Sequence, residues 1–492
     1  MMTYFFYFAF LIYTGALLYI TFYCFLQFHL LYCYRKKDIE QYLPESKSDD
    51  ELPIVTIQLP IFNEMYVVER LIDNIANIEY PKNKLQIQIL DDSTDETVKL
   101  SQKKVDEYTA KGFDIELVHR VDRTGFKAGA LKEGMKTAKG EFIAIFDADF
   151  LPKPDFLLET IPHFQNGEIG VVQTRWEHLN EDYSLITKLQ ALQLNVHFTV
   201  EQNGRRRGDY LLQFNGTAGV WRTQTIEEAG GWEADTLTED LDLSIRAQLK
   251  GWKIMYLEDI GSPAELPAEM NGLKSQQYRW MKGGAETARK MLPTVWRSDL
   301  PFSTKLHATG HLMASSIFVF VFLIGVFSVP LLFGMSKLGV DAKLYTVFLI
   351  GWVSIIAIYY VANVSTNFKD EPFLKRIFKF LFLFPLFLAL SMGLSLHNTV
   401  AVIQGYIGKK SPFVRTPKFN IKTISDSFKK RNYLMKKISW TTIAEGLLAL
   451  YFLGGVLAGI QSANYTFLIF HSLLSVGYGT IFFYTIRHLS MK

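Results

Sequence analysis

Three acidic groups stand in order along this chain: Asp91-Asp92-Ser93-Thr94-Asp95, Asp147-Ala148-Asp149 and Thr238-Glu239-Asp240. Asp147 and Asp149, one residue apart, can share a hard divalent ion, Mg2+ or Mn2+, and an anionic ligand, because such ions prefer carboxylate oxygens. An ion held there would neutralise charge on a departing diphosphate. Lys127, within Arg123-Thr124-Gly125-Phe126-Lys127, adds positive charge at a predicted helix start, where anions are already favoured. Further on, Gln276-Gln277-Tyr278-Arg279-Trp280 sets a guanidinium able to fork onto a pyrophosphate beside an indole on which a sugar ring can stack. Each group alone has a plainer explanation, as turn residues, helix caps, dipole partners or interfacial anchors. Carboxylates at three strand ends in register weigh against it.

Those strand ends follow from the pattern between the motifs. Residues 54–59, 84–90, 114–118, 142–146 and 169–173 are short apolar or alternating runs, and helical stretches at 95–111 and 127–138 separate several of them. Such alternation predicts a mostly parallel α/β sheet covered on both faces. Ligands then bind beyond the carboxyl ends of the strands. The first strand runs into Pro60-Ile61-Phe62-Asn63-Glu64, the second into Asp91 and the fourth into Asp147. Thr238 can cap a helix carrying Leu241, Ile245 and Leu249 on one side, which places Asp240 near its start.

The rest of the chain reads as membrane. Residues 1–34 contain no Asp, Glu, Lys or Arg and are followed by Arg35-Lys36-Lys37, which predicts one span with its C-terminal end in the cytoplasm. The soluble region is then cytosolic. Further apolar runs at 306–335, 344–364, 377–404, 438–460 and 465–486 are each long enough to cross about 30 Å of hydrocarbon. Lys375, Arg376 and Lys379 precede the third of these, and residues 409–437 after it carry ten Lys or Arg against the single acid Asp426. Both flanks therefore belong in the cytoplasm. The 377–404 run is expected to turn back or split, with Pro385 able to break it and Ser391, Ser395, His397, Asn398 and Gln404 costly against lipid. The expected units are 1–34, 51–264, 265–305 with an amphipathic interfacial character, 306–404, a basic loop 405–437 and 438–492.

Bulk composition agrees. A net charge of +3 over 492 residues excludes a nucleic-acid binder, and the basic residues cluster beside the apolar runs. Cys24 and Cys33, the only cysteines, both lie in the first run, so no disulfide framework or cysteine metal site exists.

The order DDSTD, DAD, TED, QQYRW resembles the D, DxD, TED, QxxRW series of processive family 2 glycosyltransferases, the group of cellulose, chitin and hyaluronan synthases. Within it, FNGTAGVWR (214–222), VVQTRW (171–176), EEAGGW (227–232) and SLHNTVAVIQG (395–405) look most like the cellulose-synthase-like glucan and mannan synthases. The resemblance covers nearly the whole chain. It implies a GT-A-type nucleotide-binding fold inserted between transmembrane helices, and inversion at the anomeric carbon. It implies that Pro60, Glu64, Asp91 or Asp92, Lys127, Asp147, Gln276 and Arg279 hold the nucleotide-sugar, and that Asp147 and Asp149 hold the metal. Asp240, with Glu239 beside it, would be the base, and Trp280, Phe214, Gly216 and Thr217 would meet the acceptor. Phe413-Val414-Arg415-Thr416-Pro417-Lys418 looks like the gating loop FxVTxK, with Phe413, Thr416 and Lys418 in place; Arg415 stands where Val is usual and Pro417 is an unusual stiffener.

An inverting transfer needs one carboxylate to take the acceptor proton while the leaving diphosphate is stabilised. The expected activity is synthesis of a β-linked, β-1,4 polysaccharide from UDP-glucose, with GDP-mannose compatible, and its passage across the inner or plasma membrane. Further export subunits are compatible with this. Single-sugar transfer to a membrane lipid is the rival activity, against which the QxxRW-type motif and the basic loop argue.

Overall fold

The computed structural model describes residues 2–36, 49–335, 337–340, 347–411, 413–423, 425–428, 433 and 438–489. Lys37, residues 344–346 of the second apolar run and the basic residues at 429–431 and 436–437 lie outside the described residues.

Among the described residues, seven strands form one sheet: β1 (Val55–Ile61), β2 (Leu85–Asp91), β3 (Asp114–His119), β4 (Phe142–Ile145), β5 (Ile169–His178), β6 (Gly219–Arg222) and β7 (Lys253–Ala264), in the order β3-β2-β1-β4-β6-β5-β7. Only β6 runs antiparallel to its neighbours. Strands β1, β2 and β4 are buried nearly throughout, as expected where helices cover both faces. Polar side chains within them pair across the sheet: Thr56 donates to Gln86 at 2.7 Å, Gln58 to Gln88 at 2.9 Å and Gln88 to Glu116 at 2.9 Å. Burial without those partners would cost each amide its desolvation. Val55, Ile57 and Leu59 belong to one apolar cluster and Ile143, Ile145 and Trp221 to another.

The 28-residue helix Met270–Arg297 follows β7. Lys274 on it makes a buried ion pair with Glu445 of Trp440–Gln461 at 2.8 Å, tying the helix that follows the sheet to a long apolar helix. Losing either partner alone would strand a buried charge at a cost of about 3–5 kcal/mol.

Among the described residues, five helices are long and apolar enough to cross a membrane: Thr3–Tyr34, Ala314–Gly334, Leu349–Asn367, Trp440–Gln461 and Leu468–Leu489. The 306–335 run is divided, since Phe302–Leu312 forms a separate helix before the span. Phe373–Gly393 and Ser395–Tyr406 form a pair bent by 48°. The break expected at Pro385 falls instead at Leu394. Pro385 sits inside the first helix, where a proline can be tolerated because neighbouring helices and local adjustments re-satisfy the backbone. Gly393 touches the backbone of Leu468–Leu489 at the bend, where a Cβ would fall 2.4 Å from the Gly477 carbonyl carbon. That close approach fixes the position of the turn.

Candidate active site

A cleft of about 210 Å³ opens at the carboxyl ends of the parallel strands. Its floor comes from β1 and β4, one wall from the start of helix Glu239–Leu249 and the other from Met270–Arg297. Pro60, Glu64, Asp92, Lys127, Asp147, Asp149, Gly216, Glu239, Asp240, Gln276, Arg279 and Trp280 all face it, as do Phe413, Thr416 and Lys418. Residues spread over some 360 positions thus meet in one place.

Lys127 is carried in by a tight turn in which Gly125 and Phe126 both take positive φ, 77° and 49°. Its Nζ lies 2.5 Å from Asp147 Oδ1 and donates to the Gly216 carbonyl at 2.8 Å. Burial works against the ammonium, but Asp147, Glu239 and Asp240 outweigh it and hold its pKa above the ordinary range. Gly216, at φ +80°, leaves room for this arrangement; a Cβ there would sit 3.0 Å from Asp240 Oδ2. Only glycine takes that backbone without strain.

Asp240 begins its helix, and its Oδ1 accepts from the Leu241 amide at 2.9 Å. Burial, then the neighbouring Glu239 charge, push its pKa up to about 7, while Lys127 pulls the other way. A carboxylate tuned to that range suits proton abstraction near neutrality. Glu239 is likewise raised, chiefly by burial. Thr238 does not cap the helix with its side chain as expected; its hydroxyl pairs with Thr287 at 3.0 Å, and Glu286 accepts from the Leu237 amide at 2.9 Å. The helix bearing Arg279 and Trp280 therefore also clamps the turn bearing Asp240.

The segment 413–419 lies inside the cleft. Phe413 stacks on Phe126 at 5.6 Å beneath the Arg279 guanidinium at 4.6 Å. Arg279 donates to Thr416 Oγ1 at 2.9 Å and to the Val414 carbonyl at 3.2 Å. Lys418 reaches Asp149 Oδ2 at 2.7 Å and the Glu265 carbonyl at 2.7 Å. Arg415 lies 2.9 Å from Glu64, whose pKa is raised to about 8 by burial despite that guanidinium.

Three expected ligand contacts fall beneath the cleft. Asp91 is fully buried, with Oδ1 accepting from the Ser93 amide at 2.7 Å, so of the pair only Asp92 reaches the surface of the cleft, where Arg120 grips both its oxygens. Phe214 packs on Trp221 at 5.3 Å. Thr217 is buried and accepts from the Asp147 amide at 2.8 Å. All three are buried beneath the cleft and shape its floor. Arg123, Asn215, Glu265 and Arg415 line the cleft without having been expected there. Arg123, Asn215 and Arg415 stand within quoted motifs, which was their only signal.

A second acidic group, Glu233, Asp235 and Asp242, has carboxylate oxygens within 4.8 Å of one another. Lys290 Nζ lies 2.5, 2.9 and 3.0 Å from the three, so an ammonium already occupies its centre, with Arg246 2.8 Å from Asp242 beside it.

Residues 53–283 match the family model described as Glycosyltransferase like family 2. A rice protein, Glucomannan 4-beta-mannosyltransferase 1, is 37% identical over 398 residues, covering 78% of this chain and 73% of that protein. The chain belongs to the family 2 glycosyltransferases. Glucomannan 4-beta-mannosyltransferase 2 of Arabidopsis thaliana is 43% identical over 274 residues, 54% of this chain and 51% of that protein. The processive, cellulose-synthase-like branch expected from the motifs agrees with these relatives. Among solved structures, the mannosyltransferase PcManGT from Pyrobaculum calidifontis, in complex with GDP-Man and Mn2+, superposes with a TM-score of 0.53 at 18% identity, over 83% of this chain and 100% of that one. The fold of this glycosyltransferase is accordingly GT-A-type.

Proposed function

We propose that the protein is a membrane-embedded inverting synthase that transfers mannose from GDP-mannose to a growing β-1,4-linked mannan or glucomannan. The observation that carries the reading is the convergence of Lys127, Asp147, Asp240, Arg279 and Trp280 in one cleft beside the membrane helices. The glucomannan mannosyltransferase names of its relatives favour mannose. The preference for UDP-glucose drawn from the motifs is therefore set aside.

Asp240 takes the proton from the acceptor hydroxyl as that oxygen attacks the anomeric carbon. Lys127 and Arg279 place positive charge on the diphosphate side, where negative charge develops. Trp280 holds the terminal sugar by stacking. Asp147 and Asp149 both line the cleft and offer the hard carboxylate oxygens that a divalent cation prefers; Mg2+ or Mn2+ would take the place of the Lys127 and Lys418 ammoniums now paired with them and would supply further charge neutralisation. Gln276 and Pro60 complete the donor side, and Gly216 keeps the acceptor side open.

Passage of the polymer through the helices is supported by polar groups leading away from Trp280. Tyr278 donates to Gln404 at 2.6 Å, His397 pairs with the Lys274 carbonyl at 2.8 Å, and both amide atoms of buried Asn398 lack partners among the described residues. Arg35 and Lys36 after the first span favour a cytosolic catalytic domain. Purified protein in lipid nanodiscs, given a panel of GDP- and UDP-sugars with Mg2+ or Mn2+, should yield polymer from GDP-mannose that β-1,4-mannanase digests. Transfer of one sugar to lipid, or polymer from UDP-glucose alone, would overturn the reading.

A further inference from the structure

Among the described residues five cations line the cleft; three are hydrogen-bonded to protein groups and a fourth is stacked on an aromatic ring. Lys127 holds Asp147 and the Gly216 carbonyl. Lys418 holds Asp149 and the Glu265 carbonyl. Arg279 donates to Thr416 and Val414. Arg123 lies flat on Phe62, 3.3 Å from the ring centroid.

Arg415 differs. Its side chain is only 12% exposed and one face rests on the Tyr433 ring at 3.9 Å. Nη1 lies 2.9 Å from Glu64 Oε1, yet neither Nη1 nor Nη2 makes an aligned hydrogen bond among the described residues, and Glu64 Oε2 is also left without one. A guanidinium presents five donors in a planar fork, and leaving them unmade in a desolvated place is costly. Phosphate oxygens match that fork in a way one misaligned carboxylate oxygen does not.

We infer that Arg415 is a donor ligand: when the nucleotide-sugar enters, its guanidinium exchanges Glu64 for the oxygens of the donor diphosphate. The inference rests on the reading of this cleft as a nucleotide-sugar site. It assigns Arg415 to the phosphates and not to the base, because a fork recognises paired oxygens. The same loop then carries both a lysine for Asp149 and an arginine for the substrate.

The test is a ligand series on the full-length protein in nanodiscs with Mn2+. Calorimetry compares guanosine, GMP and GDP, and uridine and UDP, on wild type, R415V and R415K. Expected is a loss of tenfold or more in GDP affinity for R415V, with guanosine affinity within twofold of wild type. R415K should recover little of the loss, since an ammonium has no fork. In turnover, the donor KM should rise more than kcat falls. Thermal melting of both variants shows that they fold, and R415K keeps the volume and charge if R415V does not. Equal losses for guanosine and GDP, or an unchanged GDP affinity, would make Arg415 only a latch to Glu64 and overturn the inference. If wild type binds uridine nucleotides and not guanine ones, the mannosyl donor reading falls, while the UDP-to-uridine ratio still judges Arg415.

Discussion

The two sides of the cleft are built differently. Its rigid side, with Asp147, Asp240 and Lys127, stands on strand ends and a helix start, where backbone geometry sets each side chain: Gly216 at φ +80° and the Asp147 amide bonded to Thr217 leave little freedom. The opposite side, residues 413–419, has no regular backbone structure and is held mainly through side chains, those of Phe126, Arg279, Asp149, Glu64 and Glu265 among its anchors. Every one of those anchors lines or borders the donor site. Contacts of the first kind persist through a reaction cycle, while contacts of the second kind compete with substrate and can be exchanged for it. Substitutions on the rigid side should therefore change kcat, and those in the segment 413–419 should change donor KM.

The largest effect is expected for Asp240→Asn, which keeps the shape and cannot take a proton. Turnover should fall by about 10²–10⁴-fold with GDP affinity nearly unchanged; single-turnover kinetics near the wild-type rate would end the assignment of Asp240. A pH series sharpens the same point. The base must be ionised, and burial and Glu239 raise its pKa to about 7, so kcat should climb with pH to roughly that value and level off, falling about tenfold per unit below it. A plateau extending down to pH 5 would place the proton elsewhere.

Phe413→Ala removes a ring stacked on Phe126 and covered by Arg279. With about 1 kcal/mol at stake in each of the two contacts, donor KM should rise by up to about thirtyfold while kcat changes little. A drop confined to kcat would dissolve the distinction between the two sides. Trp280→Ala, the smallest effect, loses one stacking surface of about 1 kcal/mol, so polymer length and synthesis should fall about fivefold while donor hydrolysis by water stays constant. Equal losses of both would make Trp280 an interfacial anchor.

Much of this was legible in the residues. Five strands, the two helices after β2 and β3, the parallel architecture and the spans follow from hydrophobic period and length, which are local properties. The DxD, TED and QxxRW-type groups were legible because their residue types are expensive to place together without a use. Strands β6 and β7 were not. Four residues of β6 are too few to show alternation, and β7, KIMYLEDIGSPA, carries two acids, a glycine and a proline that read as loop.

What the order of residues determined alone is the inventory: which carboxylates, cations and aromatic rings exist, and which segments are long and apolar enough to cross a membrane. Tertiary structure decided which of them meet. Asp91 and Asp92 are adjacent and chemically identical, yet the strand sends one into the core and the other to the cleft. The bend in the 373–406 pair falls at Leu394 because Gly393 packs on Gly477 from another helix, a contact no local pattern encodes. Arg415 meets Glu64 across some 350 residues for the same reason. Side-chain direction and long-range packing depend on the whole chain having folded, so a motif can name the chemistry but not the neighbours that tune it.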